Sequence, residues 1–430
     1  MRKKLLGMIL LISMIIMSVG CGASTDTASD NATSSPAAES ETVDPTSEPK
    51  NEKTSQAKDG ADDFHIGIVT GSISQSEDDR RGAEAFQKKY GEDKVTLAIY
   101  PDNFADELDT TIQTIVNMAD DPDMKAIIVN QAVDGTAEAF RRIKEKRPDI
   151  LCLAGEAYED FSDIGPVSDL VVNSDFLARG YLMIRTAHKL GCDTFVHISF
   201  PRHLSYESVS RRVSIMKSAC KKFNIKFKME TAPDPTTDVG VPGAQSFIKK
   251  NVPKWIKKYG QKSAYFCTND AHTEPLINKL LEHGGYFIEA DLPSPLMGYP
   301  GALNLDLSWE KGDFQTITKE VEAEIVKKGG AGRFGTWTNS YGYVASAGLA
   351  EHVLRVLRGE SELSNIKDIA KAFGDFSPES EWNGYQYTAA KTGKKSKNII
   401  LVYQDTYIMG DPGRYMGSTK VKVPSKYFKK

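Results

Sequence analysis

From residue 64 onward the chain repeats one unit: a short, continuously apolar run, a polar loop, then an amphipathic stretch of roughly ten to fifteen residues with helical spacing. Few folds accept that order. Strands that are apolar throughout, rather than alternating, are buried on both faces, and parallel strands need a helical crossover between them. The runs at 64–70, 95–100, 126–130, 150–154 and 170–173 read as five such strands. Between them lie the stripe Leu108, Ile112, Ile115 and Ala119 and the stripe Ala137, Phe140 and Ile143. Ser76 is the expected cap of the first helix, ahead of the acidic Glu77, Asp78 and Asp79.

The rhythm then restarts with a helix over 175–190 and strands at 194–200, 225–231, 263–268 and 286–289. Val209, Val213, Met216, Cys220 and Phe223 follow one another at helical steps, and further helices are expected over 246–258 and 274–283. The fold class is therefore α/β: two tandem doubly wound parallel-sheet lobes with a hinge, in a folded part longer than one core usually supports.

In open α/β sheets ligands bind beyond the carboxyl ends of the strands. Those ends carry Asn130 and Gln131, Glu156, Arg202 and His203, and Asn269 and Asp270. The loop after the first strand, residues 71–76, offers the hydroxyls of Ser72 and Ser74, although turn chemistry alone selects the same residues. Arg202, His203 and Tyr206 are either a cleft wall with a cation, an imidazole and a ring, or solvated loop residues.

The front of the chain is of another kind. Arg2, Lys3 and Lys4 precede an apolar stretch over 5–19 and then Gly20-Cys21, a leader too short for a comfortable membrane span. This resembles a bacterial lipobox, with Ser18 as the departure, and implies a signal peptide over 1–20 and a diacylated, palmitate-type anchor on Cys21 at the extracytoplasmic face of the cell membrane. Residues 21–62 hold almost no large apolar side chain and read as a disordered tether, with a reach of roughly 35 Å as a flexible coil.

Lys plus Arg (54) and Asp plus Glu (58) nearly balance, and no basic stripe carries interleaved aromatics, so no nucleic-acid partner is expected. Cys152, Cys192, Cys220 and Cys267 show no metal-type spacing and read as buried thiols; no metal and no cofactor is expected. Gly330-Ala331-Gly332-Arg333-Phe334-Gly335 matches a dinucleotide fingerprint by letter, but it follows a helix and leads into a strand, the reverse of the order phosphate binding needs. Catalytic motifs of the P-loop, nucleophile-elbow and zinc-protease kinds are absent from the sequence, so an enzyme is not expected.

Four segments, in order, carry a family resemblance. Asn173-Ser174-Asp175 with Arg179-Gly180, the strand end Phe266-Cys267-Thr268-Asn269-Asp270, Gly298-Tyr299-Pro300, and the stretch from Trp337 to Leu357-Arg358-Gly359-Glu360 resemble the periplasmic-binding-protein type I family, the ribose/galactose-like solute-binding proteins. The chain is also similar to a Firmicute-type group of such lipoproteins whose ligand is unassigned. The resemblance implies ligand contacts at Asn130 and Gln131, at Asn269, at an arginine after the sixth strand (Arg211, Arg212 or Arg202), and near Trp337 and Asn339. Pro300 stands where sugar-binding members carry an aspartate, which tilts the ligand away from simple sugars.

It further implies a small polar ligand (a sugar, a nucleoside or an anionic metabolite) captured between the lobes and delivered to an ABC permease. The rivals are a sensor presenting its closed form to a membrane receptor or kinase, and an extracellular hydrolase. The N-terminal lobe is expected over 63–174 plus about 300–340, the C-terminal lobe over 175–299 plus about 341–360, and residues 361–430 form an aromatic-rich extension that packs near the hinge or adds an edge strand.

Overall fold

A computed structural model describes residues 64–307 and 312–428; the leader, Cys21 and the tether lie outside them. No helix among the described residues is long and apolar enough to cross a membrane.

The first lobe begins with β1 (His65–Thr70), α1 (Ile73–Tyr90), β2 (Val95–Ile99), α2 (Leu108–Asn117), β3 (Met124–Asn130), α3 (Thr136–Lys146), β4 (Leu151–Gly155), α4 (Phe161–Ile164) and β5 (Leu170–Ser174). The chain then enters a second lobe through α5 (Phe176–Lys189), β6 (Thr194–Ser199), α6 (Pro201–Ser205), α7 (Glu207–Lys222), β7 (Lys226–Thr231), α8 (Gly240–Tyr259), β8 (Ser263–Cys267), α9 (Asp270–His283) and β9 (Tyr286–Phe287). After α10 (Tyr299–Leu303), α11 (Phe314–Lys327) and β10 (Gly335–Thr336) come α12 (Tyr341–Leu357), α13 (Ile366–Gly374), β11 (Trp382–Thr388), β12 (Lys395–Gln404), β13 (Tyr407–Ile408) and β14 (Arg414–Tyr415).

Both main sheets are wound about their first strand. The large sheet runs β11-β12-β5-β4-β3-β1-β2 and the smaller β7-β6-β8-β9, so the order second-first-third-fourth occurs twice. Pairings within the two sheets are parallel apart from the antiparallel β11 on β12. The apolar strands are the reason: Ala126, Ile127, Ile128 and Val129 of β3 have no exposed surface, with helices on either face.

Two boundaries differ from the sequence expectation. Residues 299–307 and 312–336 belong to the second lobe, where the stripe Phe314, Ile317, Val321 and Ile325 closes a core with Val196, Trp255, Leu276 and Phe334. Helix α12 belongs to the first, buried among Phe86, Ile128 and Leu153. Assigning 300–340 to the first lobe and 341–360 to the second was the wrong way round, because helical periodicity says that a stripe is covered and not by which lobe.

Other differences are local. Helix α1 starts at Ile73 behind Ser72 and is broken at Ser76, whose φ and ψ are −148° and 63°. A short α6 occupies the loop expected after the sixth strand, and α9 starts at Asp270 with Asn269 as cap. The extension supplies β12 and β11 to the free edge of the first sheet and pairs β13 with β10. The four cysteines are free and buried, their thiols pushed up to about 12 by burial, so they are poor nucleophiles.

Candidate ligand cleft

The carboxyl ends of β4 and β5 and those of β6 and β8 face a cleft of about 1170 Å³. Its first-lobe wall carries Glu156, Tyr158, Asn173 and Ser174; its second-lobe wall carries His203, Tyr206, Arg212, Thr268, Asn269, Asp270 and Asp291. Tyr387 and the turn between β11 and β12 form a third side, supplied by the extension.

At its base Asp175 caps α5, accepting from the backbone N–H groups of Leu177 (2.9 Å) and Ala178 (2.7 Å). One turn later Arg179, 2% exposed, donates through Nε to Glu289 (3.0 Å) and through Nη1 and Nη2 to the carbonyls of Asp291 (2.9 Å) and Ala290 (2.7 Å). Its guanidinium lies 5.1 Å from the Trp337 ring. Each guanidinium nitrogen thus has a partner, which offsets the cost of burying the pair, and these bonds fix the segment that presents Asp291.

Arg212 is 3% exposed and meets Asp291 at 2.6 Å through Nη1, while its face rests on Phe266 at 4.9 Å. Its Nε and Nη2 have no partner. Opposite, Glu156 holds a left-handed φ of 40°, which turns its carboxylate to accept from the Ser174 backbone N–H (2.9 Å) and hydroxyl (3.1 Å). Burial pushes this carboxyl up to about 7 against those donors. On the second lobe, His203 Nδ1 meets Thr268 Oγ1 at 3.2 Å, which in turn meets Ser199 Oγ at 2.8 Å. Burial and the nearby Arg202 lower the pKa of His203, favouring a neutral ring.

Of the residues expected from the sequence, Glu156, His203, Asn269 and Asp270 line this cleft. The others are used elsewhere. Asn130 has no exposed surface and donates to Asp79 (2.7 Å), Ser346 (2.8 Å) and the Gly342 carbonyl (3.1 Å), fastening β3 to α1 and α12. Gln131 leans on the same Asp79 at 3.5 Å. Ser72 precedes α1 outside the cleft lining, and the side chain of Ser74 is not among those described.

Arg202 is exposed and forked onto Asp234 at 2.6 and 2.8 Å. Arg211 instead binds Glu207 (3.0 Å) and the carbonyls of Thr388 (3.1 Å) and Phe428 (2.9 Å), which ties the extension to α7. Trp337 has no exposed surface, and Asn339, itself buried, donates its amide to Ser380 (2.7 Å) while its backbone carbonyl accepts from Gln404 (2.9 Å), so neither offers a ring or an amide to a ligand.

The cleft is also lined by Arg179, Arg212, Ser174, Tyr158 and Asp291, of which the sequence pointed only to Arg212, as an alternative to Arg211. The two arginines stand a third of a helical turn apart, and only the seating of α7 decides which one meets the cleft. For Tyr158, the polar run after the fourth strand was the available signal.

A crystal structure of a putative transcriptional regulator from Clostridium difficile 630 is similar at a TM-score of 0.72, with 21% identity over 80% of this chain and 99% of that one. An ABC-transporter periplasmic solute-binding protein from Actinobacillus succinogenes with bound D-allose reaches only 0.44, at 14% identity over 69% of this chain and 92% of that one. An uncharacterized protein of Treponema pallidum (strain Nichols) is 41% identical over 209 residues, covering 49% of this chain and 94% of the relative. A second family model matches residues 346–429. The two-lobed, doubly wound architecture is the periplasmic-binding-protein type I fold. By the model that matches residues 64–335, the chain belongs to the family described as "Protein of unknown function (DUF3798)".

Proposed function

We propose that this chain is a lipid-anchored extracytoplasmic solute-binding protein that captures a small polar molecule between its lobes and hands it to an ABC importer. The observation that carries the reading is the cleft of about 1170 Å³, with polar side chains converging from the strand ends of both lobes. The residues around it support binding rather than covalent chemistry. Asp175, Arg179 and Asn269 are spent on caps and ties that hold the walls, and the thiols are buried and protonated. Discrimination between empty and liganded forms would come from closure of the lobes on the ligand.

A thermal-shift screen of the purified full-length chain against sugars, nucleosides, organic acids and amino acids tests it. A ligand present at a hundred times its dissociation constant adds about 2.7 kcal/mol of stability, an easily seen shift. Failure of every class would sink the reading. The anchor has its own test: an alkyne-tagged palmitate should label the chain in cells, and labelling that survives Cys21→Ala would remove the lipid from the proposal.

A further inference from the structure

The cleft carries charges of both signs that its own residues leave unmatched. Arg179 is consumed by Glu289 and two carbonyls, and Arg212 has one contact, to Asp291, leaving Nε and Nη2 of a nearly fully buried guanidinium without a partner. Across the gap, Glu156 accepts only from Ser174 among the described residues, and Asp270 opens α9 on the second-lobe wall. No Lys, Arg or His nitrogen among the described residues lies within ion-pair distance of either carboxylate. Burial drives the Glu156 carboxyl up to about 7 against the Ser174 donors and the pull of Arg179, which is itself engaged with Glu289.

Each simpler ligand leaves part of this set unsatisfied. A neutral sugar would bring hydroxyls but no charge for any of the three groups. An anion would serve Arg212 while adding repulsion against Glu156, Asp270 and Asp291, and a plain amine would leave the buried guanidinium donors unmade. We propose that the cleft takes a zwitterion, an amino acid or short peptide whose carboxylate meets Arg212 and whose ammonium group meets Glu156 and Asp270. This rests on the reading of the cleft as the ligand site. Because Glu156 stands on the first lobe and Asp270 on the second, one ammonium group held by both draws the walls together. Tyr158 and Tyr206, 58% and 46% exposed on opposite walls, offer rings to the remainder of the molecule.

The test uses the full-length chain, with calorimetry on pools of the twenty amino acids and of di- and tripeptides. Each hit is repeated as its N-acetyl and its C-amide derivative. The expected result is a zwitterionic hit weakened at least tenfold by blocking either end. Glu156→Gln should weaken the free-amine form at least tenfold and leave the N-acetyl form unchanged; Asp270→Asn, at an exposed position, repeats that comparison if the first variant does not fold. Blocked forms that bind as tightly as the zwitterion, or a hit confined to sugars, nucleosides or organic acids, would overturn the ligand class while leaving the cleft as a binding site. No binding by any class would overturn both.

Discussion

Asp175 is where a single side chain does two opposed things. Its Oδ1 accepts from two of the N–H groups in the first turn of α5, those of Leu177 and Ala178, yet the carboxyl is fully buried, its Oδ2 has no partner, and burial raises its pKa to about 7. A folded-state pKa above the unfolded value of 3.8 means that the native state holds the proton longer. The stability this group contributes is full below about pH 4 and is lost as pH rises through about 7. Asp175→Ala should therefore cost about 1 kcal/mol for the lost cap at pH 5. Asp175→Asn keeps an acceptor and drops the charge, so its stability relative to the parent should rise between pH 5 and pH 8. Urea unfolding at both pH values measures this, and a difference that does not change with pH would refute the assignment. Asp79 and Glu156, also raised to about 7, are common to both proteins and cancel.

At the scale of elements, α1 and α12 approach so closely that a methyl group on Gly82 would fall inside contact distance of the Tyr343 carbonyl oxygen. Glycine to alanine within a helix ordinarily stabilises by up to about 1 kcal/mol. Here the sign should reverse, and Gly82→Ala should destabilise by about 1–3 kcal/mol, since neither backbone can yield. Equal or higher thermal stability in that variant would show that the helices separate without cost. The strands and most helices were legible in the sequence because continuous apolar runs and helical stripes are local signals. Glu156 and Asn269 were legible because a strand end is a definite place in this fold. Arg211 against Arg212 was not, since both stand on one helix and its rotation against the sheet is set by distant contacts. Trp337 was misread because β10 is only two residues long, so the ring falls inside, against Arg179 and Trp382, rather than at a strand mouth.

Across the whole molecule, the described chain passes between the lobes after β5, after β10 and after β12, and those passages are tied to one another. Gln404 bonds Asn339 across two of them, and Thr406 reaches Glu289 at 2.5 Å beside Arg179. A hinge of this kind allows the lobes to rotate while fixing the axis. The extension also seals the first sheet: β12 takes up the outer edge of β5 in parallel register, Ile399 beside Val171 and Val402 beside Ser174, and β11 covers β12 in turn. The family match at 64–335 ends before any of this, and before α12. A recombinant fragment designed on that match would therefore expose an unpaired row of N–H and C=O groups along β5 and a bare apolar face on α1, which invites edge-to-edge aggregation. The stretch matched at 64–335 thus stops short of a closed first lobe, whose outer strands β11 and β12 lie within the separately matched stretch 346–429, so a fragment needs both stretches to leave no edge open.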